Sequence, residues 1–472
     1  MVFIKDSKGK GSAYIENLLK RAKESQKDLN AVVTFCEVKK QMEEVSTLSH
    51  KPLFQVPIFL KDNVSTKGVR TTASSRILDN YVPSFDATVT KKLREAGAII
   101  LGKTSMDELG MGGTNLNAYT GRTHNPWDVS RITGGSSGGS AALVAAGIVP
   151  IAIGTDTGDS VRKPAAYCGI VGLKPTYGRI SRYGIIPYAS SMDHVGIFAT
   201  SVHDAALSLE VLAGRDDKDM TSSFEEVIEY TKHIDSNLQG KRIGIIKNVY
   251  DAIKDIEIKR QFDALVFSMK KQGACVEFVE FDKKLMEALL PTYYIIANAE
   301  ATTNHANLDG VRFGVREAGD NLEAMMINSR TKGFSSEVRK RFVIGSYSLF
   351  VDNQEKIFKK AQKVRRLIVE ALTDVLKDYD ALIASASGSI APKPDDSVED
   401  KLSDTYLIAE NHMLLGNFSG FPSICVPNGF VDSLPIGVSV LTKAFAETTL
   451  FDIAKAIEDI SALEGNCTEV TP

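Results

Sequence analysis

The amino-acid sequence predicts an α/β protein in which a large mixed central β-sheet is covered by helices on both faces. Short, continuously apolar runs alternate with amphipathic segments along most of the chain, as is typical of strands buried between layers of helices. The 472 residues, 43% of them hydrophobic, are enough for a large core. No repeat or low-complexity linker divides them, so we expect residues 1–472 to form a single domain.

The first half of the chain predicts the following elements in order. Residues 13–48 carry apolar residues at helical spacing and are predicted to be N-terminal helices. A strand ends in "PIFLKDN", a helix, "DATVTKKLREAG", is closed by Gly97, and "AIILGKT" is a buried strand. "HNPWDVSRIT" is interpreted as a loop, and it is followed by a short helix, "SAALVAAG", and another buried strand, "IVPIAIGTD".

The second half continues the alternation. A further β-α-β unit is predicted from "KRIGIIKNVY", a helix over about residues 255–272, and "ACVEFVEFD". Residues 336–376 are expected to form long helices. The last predicted strands are "DALIASAS", "SICVPNG" and "PIGVSVL".

Composition and charge argue against several classes of protein. The chain has 56 Lys and Arg and 59 Asp and Glu, and no long block of like charge occurs in it. This balance argues against direct binding to nucleic acid or membrane. The five cysteines never occur in C-x-x-C spacing, so neither a disulfide framework nor a metal site is predicted. No targeting segment or membrane-length apolar run is recognisable. A cytoplasmic protein is expected, or one of an organellar matrix if a targeting segment has been removed.

A loop of small residues, "GGSSGGS" (134–140), is the first candidate for a functional site. Four glycines and three serines let the backbone approach a phosphate, an oxyanion or a tightly packed neighbour. The loop lacks the Gly-Lys-Ser/Thr ending of a phosphate loop. It matches the G-x-S-x-G pattern of a nucleophile elbow, but an elbow should follow a strand. A structural turn without chemistry remains an alternative for these residues.

A second loop, "GTDTGDSVRKPAAYCG" (154–169), directly follows a predicted strand and contains Ser160. A helix of about eight residues spans roughly 12 Å, and the strand after it returns the chain by about 16 Å. Ser136 and Ser160 can therefore lie at the same edge of the sheet. This edge is where open α/β folds bind their ligands.

A serine needs a base to act as a nucleophile at neutral pH. Of the seven histidines, only His124 and His194 lie near these loops in the sequence, and their order does not fit a Ser…Asp…His triad. Lys61 ends an apolar strand, where burial would lower its pKa and allow it to act as the base. The alternative is a strand-end lysine that reaches solvent.

Together, "LKDN", "GGSSGGS" and "GTDTGDSVRKPA" resemble the amidase signature family in order and spacing. The resemblance covers about residues 50–200 and extends more loosely to about residue 445. It implies the amidase signature fold and three catalytic residues: Lys61 as base, Ser136 as a proton relay on a cis Gly135–Ser136 peptide, and Ser160 as the nucleophile that forms the acyl-enzyme. Ser137 is expected to contact the substrate.

The resemblance also implies an oxyanion hole made by the backbone N–H groups of Thr157, Gly158, Asp159 and Ser160. The family usually has glycine where this chain has Asp159. An aspartate keeps the N–H group but brings a negative charge next to a developing anion. Two alternatives follow: catalysis is slower, or the carboxylate turns outward towards Arg162 or Lys163.

Within the family, "MDELGMGGTN" and "KPTYGRISRYGIIPYASSMDHVG" resemble the glutaminase subunits of tRNA-dependent amidotransferases. This resemblance implies hydrolysis of glutamine and delivery of ammonia to a partner, the B-type subunit. That partner would use ATP and Mg²⁺ to amidate Glu-tRNA(Gln) or Asp-tRNA(Asn), with a small C-type subunit or its equivalent in the complex. No cofactor is expected in this chain, and tRNA would be bound only through the partner.

Recognition of glutamine requires a cation for its α-carboxylate and an anion for its α-ammonium group. The resemblance assigns these roles to Arg341, with Arg339 as the nearby alternative, and to Glu410, where the family usually has aspartate. One alternative function is a stand-alone amidase of a small aryl or aliphatic amide. Another is a non-catalytic structural partner in which Asp159 marks the loss of chemistry.

Overall fold

The protein is built around an 11-stranded mixed sheet. Its structure is a computed structural model that describes residues 3–396, 403 and 405–468. A separate two-stranded sheet is formed by β4 and β5. The strands are β1 (Val32–Phe35), β2 (Pro57–Lys61), β3 (Ile99–Thr104), β4 (His124–Asn125), β5 (Asp128–Ile132), β6 (Ile151–Asp156), β7 (Val171–Lys174), β8 (His194–Ala199), β9 (Arg242–Ile246), β10 (Cys275–Val279), β11 (Ala381–Ser385), β12 (Ser423–Val431) and β13 (Leu434–Leu441).

The helices flank this sheet and connect its strands. They are α1 (Ile4–Ser7), α2 (Ser12–Glu24), α3 (Gln26–Leu29), α4 (Lys39–Glu44), α5 (Thr88–Glu95), α6 (Gly138–Ala145), α7 (Arg162–Cys168), α8 (Val202–Leu212), α9 (Lys247–Ala252), α10 (Ile256–Lys271), α11 (Lys283–Glu287), α12 (Leu289–Asn304), α13 (Leu322–Gly333), α14 (Ser336–Leu349), α15 (Val351–Gln354), α16 (Phe358–Val375), α17 (Leu414–Ser419) and α18 (Glu447–Ser461). Across the described ranges, no helix has both the length and the apolarity needed to cross a membrane.

The strand order is β1-β3-β2-β6-β8-β7-β12-β13-β11-β9-β10. Strand β2 pairs in parallel with both β3 and β6, whereas β8, β7, β12 and β13 pair in antiparallel fashion. Because β2 and β6 are parallel neighbours, the segments that follow Lys61 and Asp156 leave the sheet at the same edge. The predicted mixed sheet is confirmed.

Alternation along the strands divides the core between the two faces of the sheet. In β2, Ile58 and Leu60 pack into a cluster with helices α5, α8, α10 and α18, whereas Phe59 faces a cluster formed with α2, α6 and α7. On the second face, the other end of the sheet packs Leu382 against α12 and α16. Helices therefore cover both faces, as predicted. The prediction was possible because a strand that is buried on both sides is apolar at every position.

Two of the predicted elements are wrong. Residues 13–48 are not helical throughout, because α3 ends at Asn30 in a left-handed conformation (φ 47°) and β1 pairs antiparallel with β3 at the edge of the sheet. The β-branched residues of β1 favour this extended pairing over a continued helix. "HNPWDVSRIT", interpreted as a loop, forms the β4–β5 hairpin. Strands β7 and β8 were not predicted.

The core predicts a contrast between two phenylalanines. Phe451 of α18 is fully buried, so Phe451→Ala should leave a cavity and lower the free energy of unfolding by about 3–5 kcal/mol. Phe267 of α10 is 71% exposed and provides the matched control, for which the change should stay within about 0.5 kcal/mol. Thermal and urea unfolding of the two variants measure this contrast. Similar losses for both would contradict the assigned core.

Candidate active site

Lys61 is the last residue of β2 and is completely buried. Its Nζ donates hydrogen bonds to Ser136 Oγ (2.8 Å), Ser137 Oγ (2.7 Å) and the carbonyl oxygen of Thr155 (3.2 Å). The lysine thus joins the end of β2 to the glycine-serine loop and to β6. It does not reach solvent, which excludes the alternative interpretation from the sequence.

Burial lowers the pKa of Lys61 from 10.5 to about 7, although the carboxylates of Asp107, Asp156 and Asp193 act in the opposite direction. A large fraction of the amine is therefore neutral near neutral pH. A neutral amine hydrogen-bonded to Ser136 can accept a proton from that hydroxyl. The role of general base stays a prediction for Lys61, and its burial, its lowered pKa and its contact with Ser136 support that role.

The glycine-serine loop is held in very close contact with its surroundings. The Gly135–Ser136 peptide is cis, as the resemblance implies. A Cβ atom at Gly135 would lie 2.0 Å from Asp107 Oδ2, one at Gly138 would lie 2.2 Å from Thr133 Oγ1, and one at Gly139 would meet a backbone oxygen at 2.5 Å. The glycines therefore allow close packing of the loop around Ser136.

The loop after β6 carries Ser160 to the same place. The backbone N–H of Ser137 donates to the carbonyl oxygen of Ser160 at 3.2 Å, so the two serine loops meet at the edge of the sheet, as expected. Asp156 accepts hydrogen bonds from the Val161 N–H (3.0 Å) and from the fully buried Arg162 guanidinium (3.0 Å). Arg162 in turn donates to the carbonyl oxygen of Gly158 at 2.8 Å, which fixes the loop from within.

The backbone N–H groups of residues 157–160 have no hydrogen-bond acceptor among the residues that the structure describes. Four consecutive unpaired donors are unusual in a largely buried segment, where backbone groups are normally paired. Such a row of donors can bind a developing oxyanion. The role predicted for Thr157, Gly158 and Asp159 remains a prediction, and the unpaired donors support it.

Asp159 forms no ion pair with either of the cations expected to hold it. Arg162 is paired with Asp156, and Lys163 forms its ion pair with Glu410 at 2.8 Å. Asp159 instead lies at the wall of a cavity of about 810 Å³ that also reaches Gly158. Burial raises its pKa from 3.8 to about 7, against the opposing effect of Lys163.

Arg341, on α14, lines this same cavity, whereas Arg339 is exposed. Arg341 Nη1 donates to Tyr188 Oη (3.0 Å), and the Arg341 guanidinium lies 5.2 Å from the ring centre of Tyr294. Burial opposes its charge, but the surrounding tyrosine hydroxyls outweigh that effect and raise the pKa of Arg341. The structure therefore selects Arg341 over Arg339 as the candidate cation.

Glu410 also lines the cavity, but its carboxylate is already engaged. It accepts hydrogen bonds from Lys163 Nζ (2.8 Å), the Gly388 N–H (2.8 Å) and Ser387 Oγ (3.0 Å). Ser137 is fully buried behind the loop, where it contacts Lys61 and Thr155. These contacts do not support the substrate-binding roles predicted for Glu410 and Ser137.

Sequence reasoning missed several residues at this site. Asp107 is buried beneath the cis peptide, where its Oδ2 accepts the N–H of Asn115 at 2.9 Å. Asp193 accepts from Thr157 Oγ1 at 2.7 Å. Both lie in the motifs that suggested the glutaminase subunits, but nothing in those motifs distinguishes a buried carboxylate from a surface one. His194, one of the two histidines near the loops in the sequence, has its Nδ1 at 2.6 Å from the carbonyl oxygen of Met192.

Comparison with known proteins decides the family. The amidase family model matches residues 13–451. The chain belongs to the amidase family. The A-type subunit of the glutamyl-tRNA(Gln) amidotransferase of Persephonella marina is 41% identical over 94% of this chain and 93% of its own length.

Solved structures of amidases share this fold. The A-type subunit of the glutamyl-tRNA(Gln) amidotransferase of Thermotoga maritima superposes with a TM-score of 0.80 at 36% identity, covering 97% of this chain and 94% of its own. The native peptide amidase of Stenotrophomonas maltophilia has a TM-score of 0.81 at 28% identity, covering 97% and 95%. The overall fold therefore does not distinguish an amidotransferase component from a stand-alone amidase.

The lowered pKa of Lys61 predicts the pH dependence of amide hydrolysis. The base is the neutral amine, so kcat/KM should rise with pH through about 7 and then level off. Lys61→Met should remove this rise and slow hydrolysis by about 10²–10⁴-fold. Rates between pH 5.5 and 9 measure it, with the thermal midpoint of the variant as a control for folding. A rate that is constant from pH 6 upwards would contradict Lys61 as the base.

The Asp156–Arg162 pair predicts a stability effect. Arg162→Met leaves Asp156 buried without its cation and should lower the free energy of unfolding by about 3–5 kcal/mol, with loss of hydrolysis. Arg366 forms an exposed pair with Glu370, and Arg366→Met should leave stability nearly unchanged. Equilibrium unfolding of both variants tests the contrast. Equal effects would show that the buried pair does not hold the loop.

Proposed function

We propose that this chain is the glutaminase subunit of a tRNA-dependent amidotransferase, hydrolysing glutamine through an acyl-serine intermediate on Ser160. The observation that carries the proposal is the position of Arg341, a cation without an acidic partner among the described residues. It lines the cavity that also reaches the candidate oxyanion loop. An amidase of uncharged amides has no need for such a group, whereas the α-carboxylate of an amino acid does.

The proposed mechanism is built on the contact between Lys61 and Ser136. Ser160 Oγ attacks the amide carbon of glutamine, while its proton passes to Ser136 and from Ser136 to the neutral amine of Lys61. The N–H groups of residues 157–160 stabilise the oxyanion of the tetrahedral intermediate. The proton returns by the same route to the leaving ammonia. Water then attacks the acyl-enzyme, with Lys61 again as base, and releases glutamate.

In this proposal, the ammonia is used by a partner. The B-type subunit would bind the tRNA and activate its carboxylate with ATP and Mg²⁺, and a small C-type subunit would complete the complex. The names of the relatives at 38–44% identity support this assignment, because those from Persephonella marina and Thermotoga maritima are both glutamyl-tRNA(Gln) amidotransferase components of the A type. We place the chain in the cytoplasm, since its five cysteines are free, as expected in a reducing compartment.

A stand-alone amidase is the second candidate. The similarity to a peptide amidase at 28% identity favours it, because that structure matches this chain as closely in fold. The two functions share Lys61, Ser136 and Ser160. They differ in whether hydrolysis requires Arg341, the α-charges of the substrate and a partner.

Ammonia release from glutamine tests the proposal. The purified chain should release ammonia slowly alone and faster with its B-type and C-type partners. Ser160→Ala should abolish release, and Arg341→Met should raise the KM for glutamine by tenfold or more. A simple aryl amide is the control substrate and should not be turned over.

The opposite outcomes have definite meanings. Turnover of the aryl amide without partners, together with indifference to glutamine, would make the chain a stand-alone amidase. No reaction with either substrate in the assembled complex would identify a non-catalytic structural partner.

A further inference from the structure

Within the described part of the chain, eight charged side chains line the cavity, and three of them, Lys163, Glu337 and Glu410, form ion pairs. Glu410 is bound to Lys163 at 2.8 Å, and Glu337, on the cavity wall, is bound to Lys340 at 2.7 Å. Asp107 accepts hydrogen bonds from backbone N–H groups. Among the described residues, Arg341 and Asp159 form no ion pair, and the same holds for Asp107, Lys254 and Asp396 on the cavity wall. Asp159 differs from the other acids because its carboxylate accepts no hydrogen bond from a described residue, whereas Asp396 accepts one from the Lys393 N–H at 2.7 Å.

Glu410 has little capacity left for a substrate ammonium group. Its Oε1 accepts from the Gly388 N–H (2.8 Å) and from two serine hydroxyls, and its Oε2 accepts from Lys163 (2.8 Å), from Ser387 (3.0 Å) and, weakly, from Tyr167 (3.5 Å). Lys163 and the hydrogen bonds hold the pKa of Glu410 below its usual value although burial opposes them. A carboxylate whose negative charge is already balanced by a lysine attracts a second cation only weakly.

Asp159 is in the opposite situation. No described residue donates a hydrogen bond to its carboxylate, and the nearby cations are engaged by Asp156 and Glu410. Its charge affects the pKa values of Tyr293, on α12, and of Tyr406, as does that of Arg341. Asp159 and Arg341 line the same cavity, together with Tyr293 and Tyr406.

We propose that Asp159 binds the α-ammonium group of the substrate amino acid, while Arg341 binds its α-carboxylate. This inference rests on the proposed function and assigns to Asp159 the role that the resemblance gave to Glu410. In glutamine, three carbon atoms separate the α-nitrogen from the amide carbon, a span of about 5 Å. Asp159 adjoins Ser160 in the chain, so an ammonium bound there lies within that span of the nucleophile.

The assignment also explains how an acidic residue is tolerated in an oxyanion loop. When the ammonium group is bound, the charge of Asp159 is balanced and does not oppose the oxyanion. A substrate without that group leaves the carboxylate unpaired next to a developing negative charge. Asp159 thus favours amino-acid amides and disfavours plain amides, which is selectivity by repulsion as well as by attraction.

The ionisation of Asp159 gives the inference a pH dependence. The groups that act on it are Asp156, Arg162, Lys163, Glu410, Tyr293 and Tyr406. Its pKa is raised to about 7, and only the ionised form attracts an ammonium group. The KM for glutamine should therefore rise as pH falls below about 7, and this rise should be absent in Asp159→Asn.

The test compares glutamine with 5-amino-5-oxopentanoate, which is glutamine without its α-amino group. In the assembled complex, the wild type should prefer glutamine in kcat/KM by at least tenfold. Asp159→Asn keeps the backbone N–H but removes the charge, and it should reduce this preference by tenfold or more. Asp374→Asn, at an exposed carboxylate that pairs with Lys377 outside the cavity, is the matched control and should leave the preference unchanged.

Binding measured by calorimetry in a Ser160→Ala background gives the same comparison if the Asp159→Asn variant turns over neither substrate. A preference for glutamine that survives Asp159→Asn would overturn the inference and leave Glu410 as the ammonium ligand. A wild-type complex that releases no ammonia from glutamine would instead overturn the proposed function itself.

Discussion

The hydrogen bonds of one buried lysine hold the catalytic region together. Lys61 Nζ contacts the hydroxyls of Ser136 and Ser137 and the carbonyl oxygen of Thr155, and so joins three segments that are far apart in the sequence. Removing an ammonium group from water is costly, and its pKa falls to about 7 as a result. The same burial that demands these hydrogen bonds therefore produces the neutral amine that the chemistry needs. The burial of Lys61 thus accounts both for its hydrogen bonds and for its lowered pKa.

The loop that carries Ser160 depends on a second buried interaction. Arg162 reaches back to Asp156 and Gly158, and its Nη1 also donates to the carbonyl oxygen of Met413, next to α17. The first residues of α7 are thereby tied to the end of β6 and to a distant part of the chain. Because this guanidinium supports the loop from inside, the N–H groups of residues 157–160 are left without acceptors among the described residues. A rigid loop with unpaired donors is the arrangement that electrostatic stabilisation of an oxyanion requires.

The carboxylates near Lys163 in the cavity compete for it as an ion-pair partner. Lys163 is near both Asp159 and Glu410, but it forms an ion pair only with Glu410 among the described residues. That choice leaves Asp159 and Arg341 as charges of opposite sign without ion-pair partners in the described part of the chain. An apolar or singly charged substrate would not balance them, whereas a zwitterion would. In the role proposed for Asp159, its departure from the family pattern serves the recognition of such a substrate.

The amino-acid sequence was enough to predict the mixed sheet between two layers of helices, because continuously apolar strands and amphipathic helices follow from local periodicity. It also determined the three motifs that carry Lys61, Ser136 and Ser160, since each is a local run of residues. Only the tertiary structure decided that β1 is a strand and that β4 and β5 form a hairpin, because their partners lie elsewhere in the chain. It likewise decided which carboxylate Lys163 neutralises. Charge pairing depends on distances in space, and no pattern of neighbouring residues encodes them.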